Sequence, residues 1–153
     1  MTYSIKSLTI NDVNLFHQLL DCFEEVFDEP QNYGSKLRPN DDYIKSLLND
    51  DTFIPLVALD NNNVIGGLTA YELRKFEQPR SEIYIYDLAV YEKYRRQGVA
   101  TALIEQLKPI ARDRGAWVII VQADQNDDPP INLYTKLGKR EDIHHFDIPV
   151  TDD

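Results

Sequence analysis

One cysteine is too few for an internal disulfide, so Cys22 stands alone in the 153 residues. That points to a reducing, cytoplasmic setting. Cys22 also falls on an apolar helical spacing, which reads as a core thiol rather than a reactive one. Basic residues are scarce: 16 Lys and Arg face 26 Asp and Glu, for a formal net charge of −10. Phosphate backbones need a basic surface, so nucleic acid is excluded as a partner. The same acidity suits a cationic substrate drawn into an acidic cleft, though it also serves solubility alone. No apolar run nears the roughly 18–20 residues of a membrane span. The opening Met1–Lys6 lacks the apolar stretch of a secretory leader. Glycine-rich nucleotide loops are missing as well. No Gly-x-x-x-x-Gly-Lys-Ser/Thr occurs, and no Gly-x-Gly-x-x-Gly follows a strand, which removes the triphosphatase loop and the dinucleotide fold. His144-His145 has no Cys/His partner cluster, and neighbours on a strand face opposite ways, so no metal site is expected.

What is present reads as one globular domain over residues 1–153, with 42% hydrophobic and 27% charged residues. Tyr3–Leu8 alternates as a first strand. Val13, Phe16, Leu20, Phe23 and Phe27 recur at steps of three and four, which predicts a helix capped by Asn11 or Asp12 and ending near Phe27. Asp28–Pro39 reads as a polar loop, and Asp41 or Asp42 is placed to cap a short helix ending near Asn49. Phe53–Leu59 and Val64–Leu73 flank an asparagine-rich turn and predict a hairpin. Pro55 implies an irregular start to its first strand. Glu82–Val90 is a strand rich in Ile, Tyr and Val. Thr101–Arg114 is helical, stopped by Gly115, with a kink expected at Pro109. Ala116–Ala123 reads as a strand covered on both faces. Asp128, capping the two prolines after it, opens a helix that ends at Gly138, and Ile143–Ile148 reads as a final strand. The order predicts an α/β domain, α+β in character, with a mixed sheet.

The chemistry concentrates after Asp87-Leu88-Ala89-Val90, where a strand gives way to Arg95-Arg96-Gln97-Gly98-Val99-Ala100 and a helix start. Gly98 lets backbone approach a ligand closely, and Ala100 keeps the next turn slim. The unpaired N–H groups of Gln97 to Thr101 would converge on one point, reinforced by the helix dipole. Such a turn binds a pyrophosphate, with Arg95 and Arg96 adding charge.

This pattern resembles the GCN5-related N-acetyltransferase (GNAT) superfamily, whose signature is Arg/Gln-x-x-Gly-x-Gly/Ala after a strand ending Leu-Ala-Val. The later segment Asn132-Leu133-Tyr134-Thr135-Lys136-Leu137-Gly138 looks like the family's second motif. Together they cover roughly residues 82–147. A narrower likeness, over Lys75–Val90, Val121–Asp124, Asp127–Pro129 and His145–Asp147, is to gentamicin/fortimicin-type aminoglycoside 3-N-acetyltransferases. The chain departs from these before Phe53 and at Pro109.

The resemblance implies a twisted, mostly antiparallel mixed sheet flanked by helices and splayed at the strand ending Leu88–Val90. It implies acetyl-CoA as cosubstrate, held by Leu88, Ala89, Val90, Arg95, Arg96, Gln97, Gly98, Val99, Ala100 and Thr101, and it suggests a homodimer. A bulge near Leu88–Val90 would free backbone groups for the pantetheine arm and for polarising the thioester. It further implies direct transfer, in which a neutral amine attacks the thioester without an acyl-enzyme. Asp87 is then the candidate to receive the amine proton, directly or through water, or to orient the ammonium; alternatively it only bonds a loop backbone. Tyr134 matches a tyrosine that protonates the departing thiolate, or else packs on the sheet. Glu77, Glu82, Asp124, Asp127 and Asp147 are candidates for a cation-binding cleft. The implied activity is acetylation of an aminoglycoside amine, and hence antibiotic resistance. Alternatives are another amine acceptor (a small metabolite, a polyamine or a protein N-terminus), a non-catalytic coenzyme A sensor, and a plain interaction domain.

Overall fold

The computed structural model describes residues 2–151, which divide into two compact units, one ending at Gln122 and one beginning at Ala123. The first unit is built on a five-stranded sheet in the order β1 (Ser4–Ser7), β2 (Phe53–Asp60), β3 (Asn63–Arg74), β4 (Ser81–Val90) and β5 (Ala116–Val121). The first three pairings are antiparallel and β4–β5 is parallel. The mixed α/β sheet expected from the sequence is therefore present. Asn61 and Asn62 both adopt positive φ, the two-residue hairpin geometry whose twist matches the flanking strands. Pro55 lies just past the last residue of β2 that β1 pairs with, Leu56, so its missing N–H breaks no bond to β1.

α1 (Val13–Phe27) buries Phe16, Leu19, Cys22 and Phe23; of the spacing read from the sequence, Phe16 and Phe23 are buried while Val13, Leu20 and Phe27 pack half-buried against the same core. They pack with Ile44, Phe53, Val57, Val64 and Ala89, and each such side chain contributes roughly 1.5–3 kcal/mol on burial. α4 (Val99–Asp113) runs unbroken through Pro109 and buries Val99, Leu103, Ile104, Leu107 and Ala111. It packs against β4 and β5.

Several local expectations are corrected. Residues 28–39 are not a plain loop: α2 (Pro30–Tyr33) and a 3-10 turn at Ser35–Leu37 occupy them, with Pro30 at the first helical position. Asn40, not Asp41 or Asp42, caps α3 (Asp41–Leu48), its side chain accepting from the Tyr43 amide at 2.9 Å. β5 is not covered on both faces, since Trp117 and Ile120 are exposed and the strand ends the sheet.

The second unit holds α5 (Asp128–Leu137). Asp127 takes the N-cap position there, which leaves Asp128 as the first helical residue rather than the cap. The expected strand at 143–148 does not form among the described residues: no strand pairs with it, and Ile143, Phe146 and Ile148 are exposed. An alternating segment without a partner lacks the hydrogen bonds that make it a strand.

Candidate active site

Two irregularities on β4 build the site. β3 pairs with β4 to its end at Val90, but the register shifts between Thr69 and Ala70, leaving Tyr86 as the extra residue of a bulge. β5 pairs with β4 only as far as Ile85. From Tyr86 to Val90 the β5-facing edge of the strand is therefore open, which is the splay the sequence predicted at Leu88–Val90.

The chain then turns through Glu92–Tyr94 to α4. Six consecutive amides, those of Arg96 to Thr101, donate to no backbone carbonyl or side chain among the described residues. The first ladder bond of the helix runs from the Ala102 amide to the Gly98 carbonyl at 2.9 Å. Arg96 and Gly98 both hold positive φ, 62° and 78°. Left-handed residues within a run of free N–H groups curve those donors into a concave nest that accepts an anion, and the positive end of the helix dipole lies in the same place. Gly98 is needed here for its φ as well as its slimness, because an L-residue is strained in that conformation. Gln97, Val99, Ala100 and Thr101 sit on this run as predicted. Arg95 does not stand free: its Nε donates to the Val90 carbonyl at 3.1 Å, so it braces the turn against the strand end. Arg96 is exposed and makes no ion pair among the described residues.

Asp87 lies beside the bulge, paired in register with Thr69. Its Oδ2 accepts a 2.7 Å hydrogen bond from the Tyr33 hydroxyl. The alternative of a simple bond to loop backbone is not what is seen; the partner is a side chain 54 residues away. Burial pushes the Asp87 carboxyl above the usual carboxylate range, the Tyr33 bond pulls it back, and the Glu29 charge adds to the rise. Tyr33 in turn is driven upward, first by burial and then by its bond to Asp87.

Around this pair stands a set of rings. Tyr71 contacts Phe53 at 5.3 Å and Tyr86 at 6.1 Å, and Tyr86 meets Tyr84 at 6.0 Å. Tyr43, Tyr71 and Tyr86 are exposed. Edge-to-face tyrosines next to a carboxylate offer a surface for a cationic, partly apolar molecule. Sequence reasoning missed Tyr33 and this aromatic strip; the alternation of Tyr84 and Tyr86 was its one visible signal.

Two of the other candidates fall elsewhere in the first unit. Glu77 and Glu82 sit at the β3–β4 turn, both within reach of Lys75 at 3.4 and 3.7 Å. Glu82 also accepts from the Trp117 indole at 3.1 Å. By strand rise, Glu82 is about 16 Å along β4 from Asp87. In the second unit, Asp147 pairs with His145 at 2.8 Å, and the Asp127 amide donates to the Asp124 carbonyl. Tyr134 is half-buried on α5, and burial, then the Asp127 charge, holds its hydroxyl above its ordinary range. Among the described residues no group of three His, Cys, Asp or Glu is placed to hold a metal, and no helix is long and apolar enough to cross a membrane.

Comparison with known proteins agrees with this geometry. A solved aminoglycoside acetyltransferase from an uncultured soil metagenomic sample shares 52% identity, covers 99% of this chain and all of its own, and superposes with a TM-score of 0.95. A second aminoglycoside acetyltransferase of such origin, solved in complex with sisomicin, shares 32% identity over 97% of both chains, with a TM-score of 0.90. The rat N-acetyltransferase 8B is 28% identical over 76% of this chain and 53% of its own length. The chain spans about half the length of the first curated relatives it matches. The acetyltransferase (GNAT) family pattern matches residues 14–139, and the chain belongs to that family, whose enzymes use acetyl-CoA.

Proposed function

We propose that the chain, acting as one N-acetyltransferase domain, moves the acetyl group of acetyl-CoA onto a primary amine of an aminoglycoside, at a gentamicin-like 3-N position, and so confers resistance. The observation that carries this reading is Asp87, a half-buried carboxylate set among exposed tyrosines, on the same strand whose far end leads into the run of free amides.

The nest fits the coenzyme's diphosphate: the amides of Arg96 to Thr101 and the Arg96 guanidinium would hold it, and the open edge of Leu88–Val90 would receive the pantetheine amides. The coenzyme supplies the activated acetyl thioester. Asp87 takes the proton from the acceptor's ammonium, directly or through water. The neutral nitrogen then forms the new C–N bond as the C–S bond breaks. A carboxyl whose pKa lies above its free value is a better match to this task than a solvated aspartate. Tyr134, by the family resemblance, gives its hydroxyl proton to the departing sulfur and is restored by the second proton that the acylated nitrogen sheds. The acidic cleft narrows to Asp87 and Glu29, because Glu77 and Glu82 are already engaged with Lys75. Asp124, Asp127 and Asp147 remain part of the proposed acceptor set through the resemblance alone.

Incubation with acetyl-CoA and, separately, gentamicin, spermidine or a peptide with a free N-terminus tests this. Mass analysis should show gentamicin heavier by one acetyl group and the other two turned over far more slowly. A faster spermidine or peptide reaction would transfer the reading to that acceptor. Thioester loss with no acetylated acceptor would point to a coenzyme A sensor.

A further inference from the structure

The proposed base is gripped by one side chain, and that side chain comes from a segment the motif does not include. Asp87 Oδ2 accepts from the Tyr33 hydroxyl at 2.7 Å, while Oδ1 accepts no hydrogen bond among the described residues. The grip is itself fixed. Tyr33 packs its ring on Phe23 at 6.0 Å and Phe27 at 5.3 Å, both on α1. The following turn is tied to the same helix by Arg38, which reaches Asp21 at 2.7 Å and Glu24 at 2.9 Å. A hydroxyl held in this way can present only one geometry to its acceptor.

Resting on the reading of Asp87 as the group that takes the amine proton, we infer that Tyr33 is a positioning residue: it occupies one carboxylate oxygen and turns the other toward the acceptor. The arrangement has two physical effects. It removes the freedom of the carboxylate to rotate, so that one oxygen with one direction meets the amine. It also offsets burial with a hydrogen bond to the charged form, which keeps the group ionised and able to receive a proton. The other titratable groups facing Asp87 work the opposite way or are neutral. Glu29, at the N-cap of α2, repels its charge; Tyr71 on β3 and Tyr84 on β4 feel the Asp87 charge and bring none of their own. No Lys, Arg or His is among the groups that shift Asp87. Among the described residues, Tyr33 is therefore the group that lowers its proton affinity.

The test uses the full chain, with the Asp87 carboxyl carbon followed by NMR against pH and the kcat/KM profile for gentamicin measured beside it. Tyr33→Phe keeps both ring contacts and removes only the hydroxyl, so thermal unfolding should stay near wild type. Its Asp87 titration should move to higher pH, and the acid limb of kcat/KM should move with it. Turnover should fall roughly ten- to hundredfold, with the KM for acetyl-CoA unchanged. In an Asp87→Asn background the same substitution should add no further loss. An unmoved Asp87 titration overturns the inference whatever the activity does. A moved titration with an unmoved acid limb overturns it as well, since the bond would then be irrelevant to turnover. If the wild type acetylates no gentamicin but the titration moves, the aminoglycoside reading fails while the bond between the two residues stands; if turnover of another acceptor then proves indifferent to Tyr33, the inference fails too.

Discussion

Gly98 and Gly115 offer a paired experiment, because both hold φ at +78° and neither is crowded. A Cβ on Gly98 would meet only the Tyr3 hydroxyl at 3.8 Å, and one on Gly115 would meet nothing within 4 Å. Placing an L-residue in that conformation costs roughly 1–2 kcal/mol. For a chain of this size each kcal/mol lowers Tm by about 2–4 °C, so each alanine variant should melt roughly 2–8 °C lower. The two should then part on ligand. At Gly115 the strain sits at the end of a helix, with no free donors around it. At Gly98 the strain is relieved by rotating φ toward negative values, which turns the neighbouring amides out of the nest. Coenzyme A affinity by calorimetry should fall at least tenfold in Gly98→Ala, about 1.4 kcal/mol, and stay at the wild-type value in Gly115→Ala. Equal coenzyme A affinity in the two variants, with equal losses of Tm, would reduce the nest to an ordinary helix start and refute the reasoning.

Asp87→Asn should cut kcat by roughly 10²–10⁴-fold while coenzyme A binding persists. The same variant should gain stability with a definite pH dependence. Burial raises the folded-state pKa of Asp87 above its unfolded value, so its protonated form favours folding below the unfolded pKa, and that contribution is lost as pH rises through the folded value. The Tm advantage of Asp87→Asn over wild type is therefore expected at pH 7 and should close as pH drops below the carboxylate range, measurable by calorimetry in a pH series. Tyr134→Phe should lower turnover more than cofactor affinity in steady-state assays; the reverse pattern would make Tyr134 a packing residue. The KM for an aminoglycoside should climb as salt shrinks the Debye length from about 10 Å at 0.1 M to about 3 Å at 1 M, whereas a KM indifferent to salt would remove the electrostatic role of Asp87 and Glu29.

The parts of the site that were legible in the sequence are those whose cause is local. Gly98 follows a strand and precedes small residues, and the free amides are a necessary consequence of a helix starting there. The buried face of α1 and the asparagine turn of the hairpin follow from spacing and from backbone geometry. What could not be read depends on residues far apart in the chain. Tyr33 lies in a stretch whose prolines and polar residues read as loop, and only the packing of that stretch on Phe23 and Phe27 brings its hydroxyl to Asp87. Arg95 and Arg96 are equivalent as letters and both exposed, yet the backbone sends the first to the Val90 carbonyl and gives the second no such bond among the described residues. Glu77 and Glu82 looked like cleft residues on charge alone. Lys75, a close neighbour in sequence, engages both because the hairpin turn folds back on itself. The apolar run of β5 has the composition of a buried strand but closes the sheet, so composition misjudged its exposure.

The bulge at Tyr86 and the end of pairing at Ile85 fall on adjacent residues, which would let one strand serve both halves of the proposed chemistry. The extra residue of β4 directly precedes Asp87, which meets Tyr33, while β3 continues to hold Leu88 to Val90 in register. β5 ends its pairing with β4 one residue before the bulge, at Ile85. An open edge is unfavourable in isolation, since each buried backbone group without a partner costs about 1–3 kcal/mol. Water or a ligand with amides of its own must therefore complete it, and the pantetheine arm is such a ligand. A substitution that repaired the bulge, by restoring regular pairing between Thr69 and Ala70 and their partners, should move Asp87 away from Tyr33 and, on the proposed reading, weaken coenzyme A binding as well.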